Sequence, residues 1–173
     1  MDHQAFAQLL GNYGEFVGAI AVVVTLGYLA VQIRQSTATE QATAFREWYA
    51  EWRQILSSFS ADDRTTQTMR KGFTDFGSLS KSEQAVFHTT VAAALNHAQM
   101  THELCARGML PTDTSEICDD LILSMIQSPG GAKLWEIIAL GYRGFDRLQR
   151  ILDSQGSNLP PWNEALPWWS SGE

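Results

Sequence analysis

The sequence predicts an all-α protein in which one N-terminal transmembrane helix continues into a cytoplasmic bundle of about four helices. Three observations predict this class: a long apolar run near the start, helical periodicity with cap residues through the middle, and the lack of a convincing strand pattern. The predicted divisions are a short extracytoplasmic N-terminus over 1–12, the anchor over 13–33, a helical domain over 34–153 and an irregular Pro- and Trp-rich tail over 154–173.

The anchor prediction rests on residues 16–33, a run without any charge in which only Thr25 and Gln32 are polar. At about 1.5 Å per residue this run spans about 27 Å, close to the ~30 Å hydrocarbon thickness of a bilayer. A buried core helix and a cleaved signal peptide are the alternatives. The first must hide five turns without a polar face, and the second lacks the basic segment that signal peptides carry before their apolar run.

The orientation follows from the basic residues around this run. All 12 Lys and Arg lie at or after Arg34, and Arg46 and Arg53 follow soon after it. The positive-inside rule then predicts a single-pass membrane protein with its N-terminus outside and its C-terminal domain in the cytoplasm.

Small side chains lie on one face of the predicted anchor. Gly18, Ala21 and Thr25 recur at helical spacing, and helices in lipid prefer such residues where they pack together. The pattern favours an integral membrane protein as a lateral partner, in addition to the bilayer itself.

The charge of the chain excludes one class of partner. Removing Asp2 and Glu15 from the 19 acidic residues leaves 17, which against 12 Lys and Arg gives a net charge of −5 after residue 33. A nucleic-acid-binding domain should instead present a basic face. Cys105 and Cys118 form no CxxC or zinc pattern and are expected to be reduced thiols.

A second apolar stripe follows the anchor, and no Gly or Pro interrupts the chain between Tyr28 and Lys71. The stripe recurs at alternating spacings of four and three and consists of Ala38, Ala42, Phe45, Tyr49, Trp52, Leu56 and Phe59. Such spacing is typical of a helix-packing seam. Two interpretations stay open: the stripe packs on later helices of the same chain, or Phe45, Tyr49, Trp52 and Leu56 contact a partner or a second copy.

Cap residues predict the next elements. After a break at 60–63, a short helical piece runs to Lys71 and a loop covers 72–80. Ser80 with Glu83 forms a capping-box pattern, and Gly108 is placed to end the helix that follows. The inner face of this helix is predicted to include Phe87, Val91, Ala94, Ala98 and Cys105.

Two more helices are predicted before the tail. Asp113 with Glu116 opens the first, and the SPGG stretch at 128–131 ends it. Its apolar side chains are Ile117, Leu121, Ile122 and Met125. One continuous last helix is predicted to carry Leu134, Ile138, Gly141, Phe145, Leu148 and Leu152 on one stripe.

The tail holds three of the five Pro and three of the six Trp. Pro prevents a regular helix across most of it. Trp162, Trp168 and Trp169 are predicted to dock, because indole rings bury a large apolar area. They could fold back on the domain, bind a partner or contact the membrane surface.

The sequence resembles a widespread family of short bacterial single-pass membrane proteins of unassigned function. The resemblance is carried by GEFVGAIAVVVTLGYLAVQIRQST, FREWY, LNHAQMTHELCARGML and SPGGAKLWEII, over roughly residues 14–152. It implies a single N-terminal anchor with a cytoplasmic helical domain. It implies no activity and no catalytic residues, and it excludes the Trp-rich tail.

Candidate chemistry centres on the predicted helix over 81–107. His88, His97, His102 and Glu103 lie on it, with Asp119 and Asp120 on the next helix. A di-metal bundle site uses Glu-x-x-His pairs from facing helices, and no such pair occurs. His97 and His102 are about 140° apart around the helix axis, so they are expected to be surface or capping groups.

A cysteine nucleophile is the other candidate, because Cys105 follows His102 by one helical turn. No third member of a triad and no oxyanion loop accompany the pair. We therefore predict no catalytic, metal or cofactor-binding residues.

These observations favour a non-enzymatic, membrane-anchored accessory or scaffold subunit of a larger membrane complex, for example of respiratory or photosynthetic type. A self-associating, membrane-tethered adaptor or sensor is the first alternative. A metal-dependent helical-bundle enzyme is the second.

Overall fold

The structure is a computed structural model that describes residues 3–142, 145–154 and 158–165. Within these ranges the protein is all-α and contains no strand, which confirms the predicted class. The α-helices are α1 (His3–Ser58), α2 (Asp63–Thr74), α3 (Lys81–Ala106), α4 (Asp113–Gln127), α5 (Pro129–Ile138), α6 (Phe145–Ser154) and α7 (Trp162–Ala165). Short 3₁₀ turns cover Phe76–Ser78 and Ala139–Gly141.

The chain divides into two units, Met1–Thr43 and Ala44–Glu173. The first unit is part of α1, whose helix contains one 18-residue window with a mean hydropathy of 2.2, and none of that window is buried. This helix is therefore long and apolar enough to cross a membrane. From Tyr13 onward every large apolar side chain of this unit is exposed, so no protein core accounts for the apolar run.

The second unit contains the hydrophobic core. The last turns of α1 contribute Trp48 and Trp52, and Phe59 follows directly after the helix. These three large side chains are buried against the core that the later helices form. The prediction that the helix continues past the anchor without a break is confirmed.

Helix α2 is longer than predicted. It begins after Asp62, whose carboxylate accepts a hydrogen bond from the Thr65 backbone N–H, and it runs to Thr74. The predicted loop starting at residue 72 is therefore wrong, because Gly72 and Phe73 are helical and buried. Gly72 is poor for helix propensity, but the lack of a Cβ lets the side chain of Phe87 pack directly on the α2 backbone.

Both ends of α3 follow the sequence prediction. Ser80 and Glu83 form a reciprocal capping box, and Gly108 has a φ of +69°, the left-handed conformation that ends many helices. The predicted inner face is buried at Phe87, Val91, Ala94 and Ala98 and only partly buried at Cys105.

Helix α4 begins at Asp113, as predicted. Of the apolar side chains that the sequence places on it, Ile122 and Met125 are buried and Leu121 is partly buried, whereas Ile117 is 57% exposed. Ser115 and Cys118 occupy buried positions in that turn instead. The facing surface of α3 is polar there, as described below.

The SPGG stretch separates α4 from α5 and also starts α5. Ser128 caps α5 by accepting from the Gly131 N–H, and Pro129 occupies the first turn, where its missing N–H costs nothing. Gly130 packs directly against the α2 backbone, since a Cβ on Gly130 would overlap the carbonyl oxygen of Gly72.

The predicted continuous last helix is wrong. It divides into α5 and α6, because the chain passes through a 3₁₀ turn ending at Gly141 and becomes extended at Tyr142. The Tyr142 hydroxyl donates to the Leu95 carbonyl on α3 at 2.7 Å. That contact directs the chain toward α3, and Leu148 still reaches the core from α6.

Trp162–Ala165 form the short helix α7 within the part of the tail that the structure describes. The Trp162 ring packs on Phe59 and Phe73, with ring centroids 6.1 and 6.0 Å apart. Two polar contacts with α4 hold the preceding residues: Ser124 donates to the Pro160 carbonyl at 2.5 Å, and the Asp120 carboxylate accepts from Asn158. Trp162 therefore docks on the domain itself, whereas Trp168 and Trp169 lie outside the described residues.

Candidate functional site

A buried histidine lies where α1 packs on α3. The ring of His97 stacks on two indoles of α1, at centroid distances of 5.8 Å from Trp48 and 5.3 Å from Trp52. Its Nδ1 lies 3.5 Å from a carboxylate oxygen of Glu51, whereas its Nε2 is buried without a hydrogen-bond partner. The expectation of a surface or capping role is wrong for His97.

A hydroxyl joins this contact to α4. The Trp48 indole N–H donates to Thr101 Oγ1 at 2.8 Å, and the Thr101 hydroxyl donates to the His97 carbonyl at the same distance. The Cys118 thiol contacts the same hydroxyl oxygen at 3.7 Å. Thr101 is fully buried, so its hydroxyl satisfies the buried indole N–H that would otherwise lack a partner.

A second polar cluster links α3, α4 and α6. Asp119 on α4 is buried and accepts from Arg147 Nη1 on α6, with its Oδ2 at 2.6 Å. The same carboxylate lies 3.1 Å from Nε2 of His102 on α3. One carboxylate thus ties three helices together, and Arg147 Nη2 is buried without a partner.

The surroundings shift the titration of these groups. Burial lowers the pKa of His97 more than the Glu51 carboxylate raises it. Burial and the Arg147 guanidinium lower the pKa of His102, against the opposing effect of Asp119. Burial also raises the pKa of Tyr142 to about 12. Both imidazoles therefore favour the neutral form in the folded protein.

The sign of the resulting pH dependence follows from these directions. An unperturbed histidine titrates near pH ~6.5. Below that pH, His97 and His102 therefore bind more protons in the unfolded chain than in the folded protein. The free energy of unfolding therefore falls as pH drops below about 6.5, and these rings have no effect well above it.

The thiols are poorly placed for nucleophilic chemistry. Cys105 donates to the Pro111 carbonyl at 3.2 Å, and burial raises the pKa of Cys118, which disfavours its thiolate. Among the residues that the structure describes, no group of three or more His, Cys, Asp or Glu side chains is arranged to hold a metal ion.

The cavities near the core are small or open. The one between α3, α4 and α5, whose wall includes Leu95, Met125 and Trp135, measures about 10 Å³, roughly the space of one water molecule. A shallow groove of about 250 Å³ runs along α3 beside Tyr142, with His88 and Asn96 among its lining residues. Neither encloses a set of convergent polar groups of the kind that a substrate site uses.

The structure divides the predicted seam between two environments. Trp52 is buried and Leu56 is partly buried against the domain's own core, whereas Phe45 and Tyr49 are 47% and 57% exposed. Trp48 was not among the predicted seam residues, although it precedes Trp52 by one helical turn and so lies on the same side of α1.

The predicted small-residue face of the anchor is exposed. A Cβ added at Gly18 would meet nothing within 4 Å, and the Thr25 hydroxyl donates to the Ala21 carbonyl at 2.8 Å. Thr25 has the only hydroxyl among the three residues of this face. Because its hydrogen bond is made within the same helix, the hydroxyl can lie in an apolar environment.

No family model, curated protein or solved structure matches this chain.

Proposed function

We propose that this protein is a membrane-anchored accessory or scaffold subunit whose helical domain binds a larger membrane protein complex. The exposed apolar part of α1 carries the proposal, because a mean hydropathy of 2.2 over 18 residues without any burial is unfavourable in water. The proposed location is the inner membrane of a bacterium. The one-sided Lys and Arg distribution supports an N-terminus outside and a domain in the cytoplasm.

The polar clusters support a binding rather than a catalytic role. Asp119 and Arg147 already pair with each other between helices, and the Trp48 indole N–H donates to Thr101. These groups hold the bundle together, and neither of the two cavities described above is lined by them. We therefore assign them to the scaffold.

Membrane placement is the first expected result. After sodium carbonate washing of membranes from the native host, the protein should remain in the pellet, because α1 inserts into the lipid. A cysteine introduced as Asn12→Cys should react with an impermeant maleimide on intact cells, and one introduced as Ser157→Cys should not. The protein without added cysteine controls for Cys105 and Cys118. Release by carbonate would refute the anchor, and the reverse labelling would refute the orientation.

Phe45 and Tyr49 are the best candidates for the partner contact. They are exposed aromatic side chains one turn apart on α1, next to Trp48 and Trp52, which pack inward. Aromatic residues are enriched at the energetic centres of protein interfaces. Phe45→Ala combined with Tyr49→Ala should therefore weaken the complex without unfolding the domain.

Purification in mild detergent followed by mass spectrometry of the associated chains tests this function. We expect stoichiometric membrane proteins with the wild type and at least a tenfold loss in the double variant, about 1.4 kcal/mol of binding free energy. Ile117→Ala is the matched control, since Ile117 is equally exposed on α4. Recovery of this chain alone as a homo-oligomer would favour the self-associating adaptor, and recovery as a monomer would refute both.

A further inference from the structure

Large aromatic side chains attach the end of α1 to the rest of its unit. Trp48 and Trp52 stack on His97, and Phe59 packs on Phe73 with centroids 6.2 Å apart. The hydrogen bond from Trp48 to Thr101 adds to this contact. The packing of α1 on α3 therefore depends on the state of the His97 ring, which both indoles touch.

A proton on His97 has no favourable place in this packing. In the neutral ring Nδ1–H can donate to Glu51, and Nε2 is buried without a partner. Protonation would add an N–H donor at Nε2 with no acceptor and a charge in a site where the side chain is 2% exposed. Burying a charged group without full pairing is strongly unfavourable, because the lost hydration is not replaced.

The neighbouring groups do not compensate for that charge. Glu51 is the acidic group that faces His97 from α1, but its side chain is 56% exposed, so solvent screens the pair. Cation–π attraction to the two indoles would offset only part of the cost of burying the charge. The titratable groups of α4 that reach α3 here are Cys118, at Thr101, and Asp119, which Arg147 and His102 already hold.

We propose that the α1–α3 contact is an acid-sensitive joint, in which protonation of His97 releases Trp48 and Trp52 from α3 while α4 and α5 stay folded. One part of this inference rests on the proposed function: if the domain binds a partner through α1, acidification changes how α1 is presented to that partner. Its physical basis requires neither a membrane nor a partner.

Hydrogen exchange of the full-length protein in detergent micelles, measured at pH 7.5 and 5.5 and corrected for intrinsic exchange rates, tests the joint. We expect protection over residues 45–56 to fall severalfold at pH 5.5, up to about tenfold per pH unit for one coupled proton. Peptides from α4 and α5 exchange through opening of the whole fold, so at pH 5.5 they should stay better protected than residues 45–56. Equal protection of all helices at pH 5.5, or no loss over 45–56, would overturn the proposal.

Variants of the ring separate His97 from other titrating groups. His97→Phe keeps an aromatic ring that cannot be protonated, so the pH dependence over 45–56 should disappear. His88→Gln is the matched control, because His88 is exposed on the same helix and its removal should leave the response intact.

If His97→Phe does not fold, Glu51→Gln decides: losing the anion should enlarge the loss of protection over 45–56 at pH 5.5. An unchanged response in Glu51→Gln, or a retained one in a folded His97→Phe protein, would refute the joint.

Discussion

Gly130→Ala should destabilise the protein by about 3 kcal/mol or more. An alanine in a helix is normally more favourable than glycine by about 0.5–1 kcal/mol. Here the added Cβ would overlap the carbonyl oxygen of Gly72 and crowd the backbone of Phe73. Backbone atoms cannot rotate away as a side chain can, so α5 must separate from α2, and the core on both sides loses contact.

Thermal unfolding of the full-length protein in detergent, followed by circular dichroism, measures this effect. Gly141→Ala is the control, since a Cβ there meets nothing within 4 Å and Gly141 has no positive φ. It should leave the midpoint nearly unchanged. A Gly130→Ala protein as stable as the wild type would show that α2 and α5 are not in backbone contact.

Asp119→Ala should cost about 3–5 kcal/mol of stability. The substitution leaves the Arg147 guanidinium, whose side chain is 22% exposed, without its carboxylate between three helices. It also removes the partner of His102. Most of the loss comes from the charge left unpaired, and only a smaller part from the ion pair itself.

A second substitution tests that explanation. Asp119→Leu combined with Arg147→Met removes both charges and restores apolar contact, so it should recover most of the stability lost in Asp119→Ala. The measurement is the free energy of unfolding from urea titrations of the four proteins, including Arg147→Met alone. If the double substitution is as unstable as Asp119→Ala, the lost stability is due to packing and the unpaired guanidinium is not its cause.

Local signals predicted much of the fold. The capping box at Ser80, the left-handed glycine at Gly108 and the start of α4 at Asp113 depend on contacts within a few residues. The uncharged run of α1 needs only its own composition. In each case the interaction that determines the structure lies inside the segment that displays the pattern, so the sequence alone is sufficient.

The errors occur where a distant segment decides. Gly72 is a helix breaker by propensity, yet the approach of Phe87 and Gly130 makes a glycine necessary in the middle of the contact. The break before α6 follows from the bond of Tyr142 to α3.

The buried contacts of His97 and Asp119 could not be predicted from the sequence for the same reason. Nothing near His97 in the sequence distinguishes it from exposed His88, because its two indole neighbours lie on α1, far away along the chain. Asp119 likewise forms its ion pair with Arg147, which lies on a different helix, α6. Single-sequence patterns do not encode which pairs of helices become neighbours.

The backbone contact between Gly72 and Gly130 also constrains the order of folding. The residues are far apart in the chain, and the loop between them contains all of α3 and α4. Closing so long a loop costs entropy before any contact is gained. The α3–α4 pair is joined by a short connection and can form early. Helix α2 can then pack on α3 through Phe73 and Phe87, but the Gly72 carbonyl stays uncovered during synthesis until the SPGG stretch has been translated.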